Sequence, residues 1–358
     1  MRPTGNLWYE GKKYFYELMT DSRHGWFDKF VQGFLLVLSL GYGVLVHLTC
    51  AMYKKGLLSV YEAPKPLISV GNITTGGVGK TPLVIWLAKF LNQKGIKAVV
   101  LSRGYGSSHG LNDETKMFKE ILPQVPIVVG KNRKESIQKA LSQGPVEVFV
   151  ADDAFQHWSL KRDLDIVVID SACPLGNGRL LPRGILRERP CALARADVFM
   201  LTKSDRVQST QRVRERLRQI NSKALIVESR HAPGRLRDVF TGNVEDLNFL
   251  KKKKVISFCA IGDPSFFEHM LEALGVILVK DLTFVDHHPY SETDLRMVVD
   301  FAKIENINIL VTTHKDAVKI IPSRGIFQGL TVFSLDIDLK ITQNQDEFVK
   351  RILSLPHH

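Results

Sequence analysis

The chain has 358 residues, too long for one small core and long enough for two α/β domains. Hydrophobic residues make up 44% and charged residues 24%, a globular composition that excludes a disordered or fibrous chain. The net charge of +12 favours anionic partners, whether nucleotides, nucleic acids or acidic lipid surfaces, without choosing among them. Cys50, Cys173, Cys191 and Cys259 are widely spaced and form no C-x-x-C pattern, so they read as free thiols in a reducing compartment.

The first feature in chain order is an apolar run, Phe30 to Tyr53, without a charged residue at neutral pH. As a helix it would be roughly 36 Å long, enough to cross a bilayer core. The long leader and the lack of a small-residue cleavage site argue against a signal peptide. A spanning helix, an interfacial helix and a buried core helix all fit this length. Gln32, Ser39, Gly43 and His47 recur near one face, so the run is not uniformly lipid-like. Lys12, Lys13, Arg23 and Lys29 precede it, and Lys54 and Lys55 follow. Basic flanks on both sides favour an anchor lying on the cytoplasmic face against anionic headgroups.

Beyond Pro64 and Pro66, short apolar runs alternate with helix-compatible segments. Leu67–Val70 leads into a glycine-rich loop, and Thr81–Gln93 reads as a helix with Pro82 in its first turn and Gly95 as its stop. Further runs lie at Lys97–Leu101, Pro126–Val129, Val146–Ala151, Asp165–Ile169 and Val198–Thr202. A polar, basic segment, Arg206–Lys223, leads towards a second series at Leu225–Val227, Val255–Ala260, Val276–Val279, Ile307–Thr312 and Leu330–Leu335. Alternation of this kind implies mostly parallel sheets covered by helices on both faces. The expected organisation is a membrane-associating segment (1–60), a P-loop NTPase-like α/β/α sandwich (61–222) and a smaller α/β/α domain (223–358).

The loop Thr74-Thr75-Gly76-Gly77-Val78-Gly79-Lys80-Thr81 follows a strand and opens a helix, as a phosphate-binding P-loop does. Its glycines let backbone N–H groups converge on phosphate oxygens at a helix N-terminus. Lys80 would reach the terminal phosphates and the Thr81 hydroxyl would hold Mg²⁺. Thr74 stands where the general pattern has glycine. Val148-Phe149-Val150-Ala151-Asp152-Asp153, an apolar strand ending in acid, supplies the carboxylates for the metal side.

Five further clusters are too polar or glycine-rich for core: Ser102-Arg103-Gly104-Tyr105-Gly106, Asp152 to His157, Gly176-Asn177-Gly178-Arg179 through Glu188, Asp286-His287-His288-Pro289-Tyr290, and Thr313-His314-Lys315-Asp316-Ala317-Val318-Lys319. With the P-loop, in this order, the chain resembles the tetraacyldisaccharide 4′-kinase family of lipid A biosynthesis over nearly its whole length. Thr74 itself fits that family's habit. The resemblance implies two α/β/α domains with the active site in the cleft between them, beside the cytoplasmic face of an inner membrane. It implies transfer of the ATP γ-phosphate to the 4′-hydroxyl of a tetraacyldisaccharide 1-phosphate. By the family's motifs, Asp113 would be the base and His287 its partner, although Asp113 lacks the family's flanking Gly and Pro. Glu188 would join Asp152 and Asp153 around Mg²⁺, and Arg187 would steady phosphate charge. Arg103, Tyr105, Gln156, His157 and Asn177 would contact acceptor or nucleotide. Ala154 and His314 stand where the family usually has Gly and Glu.

Two other classes bear on the same residues. A partitioning or metal-chaperone type P-loop ATPase or GTPase is the nearest; Thr202-Lys203-Ser204-Asp205 matches the short guanine motif, whereas Thr75 occupies the place of the partitioning ATPases' signature lysine. A basic scaffold or nucleic-acid-binding module lacks any helix-turn-helix, zinc or RNA-binding signature. The expected partners are therefore ATP, Mg²⁺, a lipid acceptor and the membrane, with no nucleic acid and a monomeric chain.

Overall fold

Pro64 and Pro66 end the helical N-terminus, and the β-branched and apolar runs beyond them pair side by side. The computed structural model describes residues 7–104, 113–286 and 288–355. Helices α1 (Leu7–Met19) and α2 (Trp26–Lys54) come first. Then follow β1 (Leu67–Gly71), α3 (Lys80–Gln93), β2 (Ala98–Ser102), α4 (Asp113–Ile121), β3 (Ile127–Val129), α5 (Arg133–Gln143), β4 (Val148–Asp152), β5 (Leu164–Asp170), β6 (Val198–Thr202) and α6 (Gln211–Ile220). The remainder is β7 (Leu225–Asp238), β8 (Val244–Glu245), β9 (Lys254–Cys259), α7 (Pro264–Ala273), β10 (Ile277–Thr283), α8 (Glu292–Ile304), β11 (Ile309–Thr313), α9 (His314–Ile320), β12 (Thr331–Gln343) and α10 (Gln345–Leu353).

The described chain divides into two compact units, one of residues 7–104, 121–230 and 339–355, the other of 113–120, 231–286 and 288–338. The chain passes from one to the other within the long strands β7 and β12.

In the first unit the strand order is β7-β6-β5-β1-β4-β2-β3, with every pair parallel. Parallel strands are covered on both faces, which is why β1, β2, β4 and β6 are buried at every position rather than at alternate ones. One face packs Leu67, Val99, Leu101, Phe149 and Ala151 against Ile137 and Ala140 of α5. The other packs Val167, Ile169, Phe199 and Leu201 against Leu180, Leu186, Leu193 and Leu217. The basic segment expected to lead towards the junction contains α6, whose Val213, Leu217 and Ile220 join this second face.

Helix α2 has two unlike sides. Leu35, Ser39 and Gly43 are buried, and a Cβ on Gly43 would lie 2.8 Å from Leu180 Cδ1, so glycine is what allows this approach. Gln32 reaches the Leu18 carbonyl and Asp21 at 3.4 Å. The small and polar stripe thus faces protein, except for His47, which is exposed. Phe30, Phe34, Val37, Leu38, Leu40, Val44, Leu45 and Leu48 are also exposed. Only 17% of the most apolar stretch is buried, so the described residues leave this apolar side of α2 largely uncovered.

In the second unit the order β10-β9-β11-β12 is again parallel, while the end of β7 pairs antiparallel with β8. One face packs Ile256, Phe258, Leu310 and Val332 against α8; the other packs Val255, Val311 and Phe333 against α7.

Candidate active site

Register places the P-loop beside the acidic strand end. Strand β1 lies between β4 and β5, and Val70 pairs with Asp152. Parallel pairing brings both carboxyl ends to the same sheet edge, where ligands of open α/β sheets bind. Gly76 and Gly79 have φ of +114° and +91°, conformations that need glycine. Nothing lies within 4 Å of a Cβ built on Gly76, so the loop leaves room for an anion. Gly79 caps α3, which begins at Lys80, and Thr81 stands in its first turn. The loop is tied across to a neighbouring segment: Thr75 N donates to the Ile185 carbonyl and Arg187 N to the Ile73 carbonyl, both at 2.7 Å.

Lys80, Asp153, Arg187 and Gln156 come together here. Lys80 Nζ lies 3.3 Å from Asp153 Oδ1 and donates to Asn72 Oδ1 at 2.9 Å. Arg187 Nη1 donates to both Asp153 oxygens at 2.9 and 3.0 Å, and to Gln156 Oε1 at 3.4 Å. Burial opposes charge on Asp153, but the two cations outweigh it and lower its pKa. Asp152 is buried at the end of β4, and the Arg133 guanidinium donates to its carbonyl at 2.6 Å.

Glu188, expected to join Asp152 and Asp153 around Mg²⁺, is in contact with Arg195 and Gln156. It is buried, both its oxygens accept from Arg195 at 2.6 and 2.8 Å, and Gln156 Nε2 donates to it at 3.1 Å. Arg195 also stacks 3.7 Å over the Phe155 ring. Among the described residues no group of three or more His, Cys, Asp and Glu side chains surrounds a metal position. A P-loop needs none: magnesium takes one hydroxyl and one or two carboxylates, the rest of its shell coming from phosphates and water. Thr81, in the first turn of α3, and Asp152, at the end of β4 beside β1, are a hydroxyl and a carboxylate of that kind.

His157 is half-buried and lines a cavity of about 360 Å³ together with Tyr61, Lys131, Arg133 and Lys134. Burial first, and then the charges of Arg133, Arg103 and Arg162, push its pKa down to about 4, so it is neutral at physiological pH. Arg103 is exposed just beyond β2. Asn177 is engaged elsewhere: its Nδ2 donates to Asp21 at 3.1 Å and its Oδ1 accepts from Arg179 N at 3.2 Å, which shapes the glycine-rich turn. Tyr105 and His287 lie outside the described residues, as does the Asp113 side chain; Asp113 is the first residue of α4. Lys203 of the short guanine motif is buried in an ion pair with Asp170 at 2.6 Å.

Three residues of this centre carry no motif. Asn72 orients Lys80 and also donates to the Thr74 carbonyl at 2.6 Å. Arg195 neutralises Glu188. Tyr42 of α2 donates to the Arg187 carbonyl at 2.9 Å, a contact 145 residues apart in sequence.

A family model for tetraacyldisaccharide-1-P 4′-kinase matches residues 31–355. The tetraacyldisaccharide 4′-kinase of Halothermothrix orenii is 36% identical over 361 residues, covering 90% of this chain and 93% of its own length. That of Desulfatibacillum aliphaticivorans is 33% identical, with coverages of 90% and 92%. Among solved structures, LpxK from Aquifex aeolicus in complex with ATP superposes with a TM-score of 0.73 at 28% identity, covering 90% of this chain and 98% of that one. A match that runs from the apolar helix through the P-loop to the last helix places the chain in the tetraacyldisaccharide-1-P 4′-kinase family.

Proposed function

We propose that this chain transfers the γ-phosphate of ATP to the 4′-hydroxyl of tetraacyldisaccharide 1-phosphate, forming lipid IV-A in lipid A biosynthesis. The observation that carries the reading is the convergence of Lys80, Asn72, Asp153, Arg187 and Gln156 on a glycine loop at a helix N-terminus, in a chain of this family. All of these residues lie in the proposed kinase domain, 61–222.

In this reading the backbone N–H groups of Thr75 to Thr81 cradle the phosphates, and Lys80 and Arg187 neutralise charge on the transferred group. Thr81 and Asp152 would hold magnesium, with Asp153 near its waters, to supply positive charge that offsets that of the phosphates. Glu188, clamped by Arg195 and bonded to Gln156, would join Asp152 and Asp153 on the metal side. The bond from acceptor oxygen to the γ-phosphorus forms as the bond to the β–γ bridging oxygen breaks. The hydroxyl proton passes to Asp113, with His287 as its partner, and ADP leaves. Cationic residues around the His157 cavity suit the anionic acceptor. Helix α2, with its exposed apolar side, holds the chain on the cytoplasmic face of the inner membrane, where the chain acts as a monomer.

The test is incubation of the purified chain with Mg-ATP and tetraacyldisaccharide 1-phosphate in detergent. A bisphosphorylated lipid is expected, and Lys80→Ala should abolish it. ATP binding without any phosphorylated lipid would overturn the acceptor assignment and leave only the P-loop.

A further inference from the structure

The charged stretch His314 to Lys319 of the second unit is absorbed by no step above. It forms α9, a helix of seven residues. Its base is fixed by burial: Asp316 is fully buried and its Oδ2 accepts from Ala260 N at 2.9 Å and from the Thr313 hydroxyl at 2.7 Å. Lys319 closes on Asp316 Oδ1 at 2.9 Å. A helix so tied to the ends of β9 and β11 is a rigid support.

Three side chains reach out from this support. His314 is buried between two carboxylates, with Nδ1 2.6 Å from Asp336 Oδ1 and Nε2 3.0 Å from Glu120 Oε2. Both ring nitrogens donate when the imidazole is protonated, so one cation bridges β12 to α4. Glu120 lies seven residues, roughly 10.5 Å along the helix, beyond Asp113 at the start of α4. Lys315 Nζ donates to Asp286 Oδ1 at 3.0 Å, and Lys319 Nζ donates to the His288 carbonyl at 3.3 Å. These two grip the chain on either side of residue 287. His288 is held further by Asp294 at 2.9 Å and by stacking on Phe284.

We propose that α9 is a positioning bracket, in which His314 sets the helix bearing Asp113 and Lys315 and Lys319 set the loop bearing His287. The inference rests on the catalytic reading given to Asp113 and His287. Its logic is that a base and its partner on separate segments need a common reference, and α9 is bonded to both segments within one unit. Displacing a catalytic group by 1 Å can cost about a hundredfold in rate.

The test uses the full chain and partly exposed partners, which are the least prone to unfold it: Lys315→Met, Lys315→Arg and Glu120→Gln, each checked by thermal melting and by ATP affinity. Lys315→Met and Glu120→Gln should lower kcat about tenfold or more, with KM for ATP nearly unchanged, and Lys315→Arg should retain most of it. Because the bracket acts through the catalytic pair, Lys315→Met should add nothing in a His287→Ala background, and Glu120→Gln nothing in an Asp113→Ala background. If His287→Ala and Asp113→Ala are slow while the bracket variants keep full kcat, or if the effects multiply, the bracket is wrong and the catalytic pair stands. If His287→Ala and Asp113→Ala turn over normally, the pair itself is misassigned and the bracket falls with it.

Discussion

Replacing Asp153 with alanine should move two measurements in opposite directions. Its carboxylate lies 3.3 Å from Lys80 Nζ, and both side chains are only 16% exposed. The gross attraction is about 5 kcal/mol at an effective dielectric of 20. Desolvation offsets most of it, leaving about 1–2 kcal/mol for an incoming phosphate to overcome when it takes Lys80. Lys80 stays oriented without Asp153, because Asn72 Oδ1 still accepts from it. Asp153→Ala should therefore bind magnesium-free ATP about 5- to 30-fold more tightly than the native chain. With magnesium present, its turnover should fall about a hundredfold or more, since a carboxylate on the metal side is gone. Isothermal titration with ATP in EDTA measures the first effect, and a lipid kinase assay the second. Unchanged or weaker magnesium-free binding by a folded variant would refute the competition for Lys80; native turnover would remove Asp153 from the metal side.

Two further outcomes follow from the same structure. Burial opposes charge on His314, but its bonds to Asp336 and Glu120 outweigh it and raise its pKa to about 9; a raised folded-state pKa means that the stabilisation, at most about 3 kcal/mol, is complete below about pH 6.5 and lost as pH rises through 9. Denaturant unfolding between pH 6 and 10 should thus fall more steeply for the native chain than for His314→Gln, and parallel curves would contradict the bridge. Phe34→Glu with Leu45→Glu, both on the exposed side of α2, should release the chain from anionic vesicles in a flotation assay without altering its melting temperature; continued flotation would move the membrane contact away from this helix.

The parts of this molecule that follow from nearest-neighbour chemistry were legible in the sequence. Glycine, lysine and threonine at fixed offsets force a P-loop wherever a strand enters and a helix leaves, and β1, α3 and Asp152 lie where those offsets imply. Strand existence was equally plain, because fully buried parallel strands are continuous apolar runs. Strand length was not: β7 and β12 continue well beyond Val227 and Leu335 into half-exposed positions, where hydrophobicity no longer marks the strand. The site's electrostatic wiring was hidden for a different reason. Asn72 to Lys80 is a short-range bond, but Tyr42 to Arg187 and Glu120 to His314 span 145 and 194 residues. Such pairs arise only once the sheet has set the segments side by side. Arg195 clamps both Glu188 oxygens from only seven residues away in sequence, yet no motif marks it.

Helix α2 has one consequence for anyone wishing to make a water-soluble form of this protein. Its inward side is the wall against which Leu180 packs at Gly43, and its Tyr42 hydroxyl satisfies the carbonyl of Arg187. Cutting the chain after Lys55 would uncover that wall and leave a backbone acceptor unmatched beside the phosphate loop. The sounder design keeps the helix and repaints its outward face, exchanging Phe30, Phe34, Val37, Leu45 and Leu48 for polar helix formers while leaving Leu35, Ser39, Tyr42 and Gly43 untouched.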